Sequence, residues 1–308
     1  MAGLQMQTFS PGHWLRKESQ REALAGYLFI LPTFIGYTVF IIGPILAAIG
    51  ISFTSYDILS PPKLIGLENY ITLFTDPRLR QVYFNTIYFT LVAVTINVGI
   101  GLLLAVLLNR HMPPFLKYIF RTTYFFPVLV ALAYCAIIWQ FLYQKDTGII
   151  NYYLSFLNVA PLPWLSSKQW VLPSIIIMDV WKNTGFAMLV FLAGLQSISP
   201  DYYESAQLDG ANRWQLFRYI TLPLISPTLF FVLIIYMIGA LQVFDSIVVL
   251  TRGGPGDASR SLVMYIYENA FQFFEMGYAS AVAITLFVMI MVLTLVQFRL
   301  GRAWVHYE

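Results

Sequence analysis

The chain has 308 residues, 58% of them hydrophobic and only 11% charged, with a mean hydropathy of +0.70. Ordinary soluble domains carry about 25% charged residues, so the composition excludes a soluble enzyme. The formal charge of +3 is spread without a run of four or more basic residues. That excludes a phosphate-binding stripe, and with it nucleic acid as a partner.

Several chemistries are excluded by position as well. Cys135, the single cysteine, sits in an apolar run, so no intrachain disulfide and no cysteine metal cluster is expected. His13, His111 and His306 are scattered and set no metal-ligand spacing. Lys17, Lys63, Lys117, Lys145, Lys168 and Lys182 never follow a glycine, so the chain carries no GxxxxGK phosphate cradle. If ATP drives this protein, another chain binds it. No catalytic residue and no metal ligand stands out.

A membrane helix needs roughly 20 apolar residues to cross about 30 Å of hydrocarbon, and charge-poor intervals predict six such helices. The first runs from about Leu24 to Phe53, the second between Arg80 and Arg110, and the third between Arg121 and Lys145. The fourth, about Val171 to Leu195, contains Asp179 and Lys182; the fifth runs from about Leu224 to Leu250, and the last from about Met276 to Phe298. The expected organisation is an N-terminal tail over 1–23, a first span and outer loop over 24–81, a core over 82–298, and a C-terminal tail over 299–308. Connections reach about 30 residues at most, too short for an inserted soluble domain.

With both termini cytoplasmic, inner segments hold ten basic residues and outer segments seven, with Lys182 inside the membrane. The bias favours that orientation. Among the outer segments, Gly253–Gly256 reads as a turn without the lysine of a phosphate loop. Trp164, Trp170, Tyr152 and Tyr153 suit an interfacial belt. Ser261 to Phe274, with five aromatic residues beside Glu268 and Asn269, reads as an interfacial helix on the outer surface.

The connection between spans four and five, 196–222, is ordered rather than loop-like. Ser199 is a good N-cap, Pro200 suits the first helical position, and Asp201 and Glu204 place negative charge in the first turn. A short helix should run to about Leu208 and stop at Asp209-Gly210, where glycine supplies left-handed geometry. A second helical piece should open at Ala211, with Trp214, Phe217 and Ile220 on one face and Leu222-Pro223 at its close. Two short helices about a glycine make either a rigid docking knob or a hairpin that merely caps the bundle.

The segment ESAQLDGANRWQLFRYITLP, Glu204 to Pro223, closely resembles the EAA loop of ABC-importer permeases. That pattern has a Glu-Ala-Ala start, an Asp-Gly-Ala three residues on and a Leu-Pro close; Ser205 replaces the first alanine here. Further similar pieces are Phe120-Arg121 with Phe126-Pro127, WKNTGF (Trp181 to Phe186), QVFD (Gln242 to Asp245), TRGGPG (Thr251 to Gly256) and GYASA (Gly277 to Ala281). The set, spread over about Val82 to Arg299, resembles the first permease of carbohydrate-type importers, the maltose, glycerol-3-phosphate and oligosaccharide group.

The resemblance implies an all-α integral membrane protein with six spans and the type I ABC importer permease fold. It implies coupling to a cytosolic ATPase through Glu204, Ser205, Ala206, Asp209, Gly210 and Ala211. Implied partners are a second homologous permease, two ATPase subunits that hold the ATP and Mg²⁺, an extracytoplasmic solute-binding protein and membrane lipid. The implied location is a bacterial or archaeal plasma membrane.

Inside the membrane, Asp179 and Lys182 lie three apart and share a helical face. Each such charge costs about 2.5–3.5 kcal/mol on insertion scales, so both should face protein or water. They read as part of a polar path with Trp181 and Asn183, or as an ion pair that locks helices. Tyr236, Ala240 and Val243 fall on one face of span five, beside Gln242 and Asp245. By position in the resemblance, these residues and Phe186 line a central solute cavity. Two other readings remain: a secondary transporter using Asp179, Lys182 and Asp245 as an ion relay, and a membrane scaffold or receptor whose inner loop binds a soluble protein.

Overall fold

The computed structural model describes residues 12–305, and side chains from residue 22 onward. Residues 1–11 of the expected N-terminal tail, His306–Glu308 of the C-terminal tail and the side chains of His13, Arg16, Lys17 and Arg21 lie outside the described residues. Helix α1 (Gly12–Tyr37) passes through a π-helical turn (Thr38–Ile42) into α2 (Gly43–Ser52). Pro44 has no N–H to return to the Phe40 carbonyl, and the widened turn absorbs that missing bond. The span Glu22–Ser52 follows the expected first helix, and its most apolar stretch buries nothing within this chain.

A two-residue ribbon, β1 (Thr54–Ser55) with β2 (Lys63–Leu64), and α3 (Glu68–Thr75) precede the central helix α4 (Pro77–Asn109). Asp76 caps α4 by accepting from the Arg78 N–H at 2.8 Å, with Pro77 at the first helical position. Helices α8 (Val171–Ser197) and α15 (Met276–Gly301) occupy the expected fourth and sixth spans. Including Glu22–Ser52, four helices among the described residues are long and apolar enough to cross a membrane, or six if each of two bent pairs counts as one span.

One bent pair corrects the expectation of a continuous third helix. The third span is two helices, α5 (Pro114–Leu129) and α6 (Leu132–Leu142), meeting at 100°. The Lys182 ammonium explains the break: it donates to the carbonyls of Pro127, Val128 and Val130 at 3.3, 3.2 and 2.8 Å. A cation on terminal carbonyls replaces the helical bonds that a continuing chain would make.

Span five is also divided. After the short helix α7 (Ile149–Ser155) in the third connection, α9 (Pro200–Leu208), α10 (Arg213–Leu216), a π-helical turn (Phe217–Thr221) and α11 (Leu222–Leu224) lead into α12 (Ser226–Leu241) with a 64° bend. The helix then stops, and α13 (Asp245–Leu250) follows a three-residue break at Gln242–Phe244. At the break the Ser261 hydroxyl donates to the Val243 carbonyl at 2.6 Å, which satisfies an acceptor outside any helix. Val243 is therefore not on the helical face of Tyr236 and Ala240.

The core forms where α4, α8 and α12 cross, burying Ala105, Met188, Phe191 and Val232. Gly185 brings α5 against α8 so closely that a Cβ there would overlap the Tyr124 carbonyl. Ser261 to Phe274 is not a purely interfacial helix. It is α14 (Leu262–Tyr267) and a π-helical turn (Glu268–Gln272), with Leu262, Met264, Tyr265, Glu268 and Asn269 buried. The buried side is held by the Arg260 guanidinium on Glu268 at 2.7 Å, while Tyr267, Phe271, Phe273 and Phe274 stay exposed. Trp164 likewise leaves the expected belt, because its Nε1 donates to buried Asn151 at 2.9 Å. Tyr152 and Tyr153 remain exposed.

Candidate functional site

The connection between α8 and α12 has the expected form. Ser199 caps α9, its Oγ accepting from the Asp201 N–H at 3.3 Å, and the helix ends at Leu208. Gly210 follows at φ +83 with open space around it. Left-handed backbone costs a residue with a Cβ roughly 1–2 kcal/mol. The second helix starts two residues later than expected, because Asn212 rather than Ala211 caps it. Asn212 Oδ1 accepts from the Trp214 and Gln215 N–H groups, both at 3.0 Å, and the Gln215 side chain accepts from the Asn212 N–H at 2.8 Å. This reciprocal box fixes the helix start.

No residue of α9 or α10 is buried, and Leu208 is 89% exposed. Glu204, Ser205, Asp209 and Gly210 are exposed, with Ala206 and Ala211 half-buried. A shallow hollow between the two helices is lined by Ala206, Asp209, Gly210, Ala211 and Tyr219. The unit is tied to the bundle by the Tyr203 and Thr221 hydroxyls at 3.1 Å. The element is ordered and capped, and most of its surface stays open within this chain.

The second feature is a cavity of about 350 Å³ between α4, α8, α12, the α5–α6 break and the break after α12. Of the ten expected path residues it is lined by Asp179, Asn183, Phe186, Tyr236, Ala240, Gln242, Val243 and Asp245. Trp181 and Lys182 are not among its walls. Trp181 packs edge-on against Trp139 at 5.7 Å, and Lys182 turns to the α5 carbonyls. Among the described residues Asp179 and Lys182 make no ion pair, because those carbonyls have taken the ammonium instead.

Asp179 is held by amides. Its Oδ2 accepts from Asn97 at 3.0 Å and its Oδ1 from Asn183 at 2.8 Å, while Asn97 Oδ1 accepts from Thr184 at 3.0 Å. The Tyr236 hydroxyl donates to the Asn183 carbonyl at 2.5 Å and accepts from the Ala187 N–H at 3.1 Å. Tyr236 therefore binds α12 to α8 and offers only its ring to the cavity, where Phe186 lies 6.4 Å away. Sequence reasoning missed Asn97 and Phe89, both in the wall. The available signal was a lone amide in the apolar run Leu91 to Leu108. Among the described residues no group of acidic, histidine or cysteine side chains converges to hold a metal.

Residues 97–306 match the family described as binding-protein-dependent transport system inner membrane component. The chain is 37% identical over 294 residues to the probable ABC transporter permease protein YesP of Bacillus subtilis, covering 94% of each. It is 37% identical over 287 residues to the trehalose/maltose transport system permease protein MalF of Thermococcus litoralis, covering 93% of this chain and 96% of that one. A chain in the crystal structure of a bacterial alginate ABC transporter, in complex with alginate pentasaccharide-bound periplasmic protein, aligns with a TM-score of 0.82. The identity there is 28%, over 93% of this chain and 96% of that one.

The chain therefore belongs to the family of inner membrane components of binding-protein-dependent transport systems. It is a multi-pass ABC transporter permease with the type I importer fold, and not an enzyme.

Proposed function

We propose that this chain is one permease subunit of an ATP-driven importer for a sugar or sugar-like solute. It shares the translocation path with a second, homologous permease, and two cytosolic ATPases, which hold ATP and Mg²⁺, drive it through α9 and Gly210. Solute arrives from an extracytoplasmic binding protein. The chain lies in a bacterial or archaeal plasma membrane with both termini cytoplasmic.

The observation that carries this reading is the connector's place in the chain. It continues directly from α8 and leads through α11 into α12, the two helices that supply Asp179, Asn183, Phe186, Tyr236 and Ala240 to the cavity. A displacement of α9 by a partner therefore acts on two cavity walls at once. Tyr203 with Thr221, and Tyr236 with Asn183, make the assembly stiff enough to transmit it. Opening and closing the cavity to opposite sides is alternating access, with differential binding of the ATPase's two states as the driving term. Relatives named for trehalose/maltose and lactose transport support the solute class.

Nothing in the structure favours the ion-relay reading. Lys182 would have to exchange charge with Asp179, and its ammonium is committed to three carbonyls at the α5–α6 break. Mild-detergent purification of the tagged chain from its native membrane tests the proposal. A second six-span permease with two copies of a Walker-type ATPase is the expected composition; a monomer or homodimer without ATPase overturns it. Replacing Gly210 separates docking from folding. Gly210→Asn, which tolerates left-handed backbone, should keep most uptake, and Gly210→Arg should lose it by an order of magnitude or more while staying in the membrane. Normal uptake in Gly210→Arg would remove α9 from the coupling path.

A further inference from the structure

The charge of the cavity wall bears on which solutes can pass. Two carboxylates, Asp179 and Asp245, line it, and among its described lining residues there is no lysine, arginine or histidine. The nearby cation in sequence, Lys182, is not a wall residue: its ammonium lies behind the wall on carbonyls of the α5–α6 break, one of them that of the wall residue Val128. Asp179 is not neutralised by the groups that hold it either, because Asn97 and Asn183 each contribute an uncharged N–H. Each of its oxygens accepts one such bond in the structure, and an ionised carboxylate has about four acceptor sites. What remains is acceptor capacity directed at a partly apolar space, with the rings of Phe89, Phe186 and Tyr236 alongside.

From this we infer that the cavity selects uncharged, hydroxyl-rich solutes and rejects anionic ones such as uronates, sulfonates and phosphate esters. The inference rests on the reading of this cavity as the solute path. A neutral sugar meets the wall by donating hydroxyl protons to Asp179 and Asp245 while its apolar ring face lies on an aromatic side chain. An anionic group brings like charge next to two carboxylates with no cationic side chain among the lining residues. For unit charges about 6–8 Å apart at an effective dielectric constant near 20, that repulsion corresponds to roughly a 30- to 100-fold loss per carboxylate.

The test uses the purified assembly with Cys135→Ala and Val243→Cys, which places one thiol in the wall. Its rate of reaction is measured with a cationic and an anionic methanethiosulfonate of matched size, each relative to a free thiol. The expected ratio favours the cation by at least about 10-fold and falls toward unity with Asp179→Asn and Asp245→Asn together. A ratio near unity, or one unmoved by that double substitution, overturns the inference whatever the solute path is.

A second arm measures protection of the same thiol by neutral trisaccharides of glucose, xylose and arabinose, and by trigalacturonate. Protection by a neutral sugar, with weaker protection by the uronate that improves in the double variant, supports the inference. Equal protection by both classes overturns it and leaves the path intact. Protection by none of them, with the reagent ratio still high, instead refutes the cavity as solute path and takes the inference with it.

Discussion

Lys182 shows how one side chain can set the shape of a span. Its ammonium lies against three carbonyls where α5 ends, and a buried hydrogen bond to a charged group contributes about 1.5–3 kcal/mol. Lys182→Met should remove that cap, leave carbonyls unsatisfied and lower stability by a similar amount, read as an earlier thermal transition of the purified assembly. A transition unchanged from the parent would mean that water or backbone caps α5 equally well. Gly185 carries a steric demand of a different kind, since any Cβ meets the Tyr124 carbonyl. Gly185→Val should force α5 off α8 at a cost of about 1–3 kcal/mol, visible as reduced yield of intact assembly. Undiminished yield and melting would show that the contact can relax.

At the scale of elements, the start of α4 is joined to α14 and α15 through one carboxylate. Asp76 Oδ2 accepts from the Tyr265 hydroxyl at 2.5 Å and the Tyr278 hydroxyl at 3.0 Å. Burial alone would raise the Asp76 pKa, but these hydroxyls and the N–H groups of Arg78 and Leu79 outweigh it, so the group titrates below its ordinary value. Burial and the neighbouring Asp76 push Tyr265 up to about 12, so it remains a donor at physiological pH. A depressed carboxylate contributes stability that is complete above its unfolded pKa and is lost as pH falls through the folded one. The assembly should therefore lose stability as pH drops below about 4, and Asp76→Asn should flatten that acid limb. An identical acid limb in the variant would assign the loss to other carboxylates.

Across the whole molecule, the apolar surface is distributed as a membrane protein requires. Phe29 and Phe40 in the first span are 85% and 79% exposed, and Leu295 and Leu300 in the last are 61% and 62% exposed. Such residues face lipid or a neighbouring subunit, whereas α4 and α8 hold the buried core. The orientation has its own test in a Cys135→Ala background. Asp209→Cys should react with an impermeant maleimide only from the cytoplasmic side, and Asp146→Cys only from the outside. The reverse pattern would invert the topology and place α9 beyond reach of a cytosolic ATPase.

What the sequence alone determined is local or additive. The membrane class follows from composition, and the ends of α8 and α15 from where charge stops. The helix over Pro200–Leu208 and the left-handed Gly210 follow from Ser199, Pro200 and the glycine itself, because caps and backbone preference act within a few residues. The family resemblance was equally legible, since its motifs are contiguous. Only the tertiary structure decided the rest. Asp179 and Lys182 share a helical face, yet one turns to Asn97 on α4 and the other to the end of α5. Their partners lie 82 residues away for Asp179 and 52 to 55 away for Lys182. The breaks at Val130 and Val243, and the burial of Glu268, arise in the same way. In each, a polar group in an apolar setting accepts whichever partner the packing brings, and no local pattern specifies that choice.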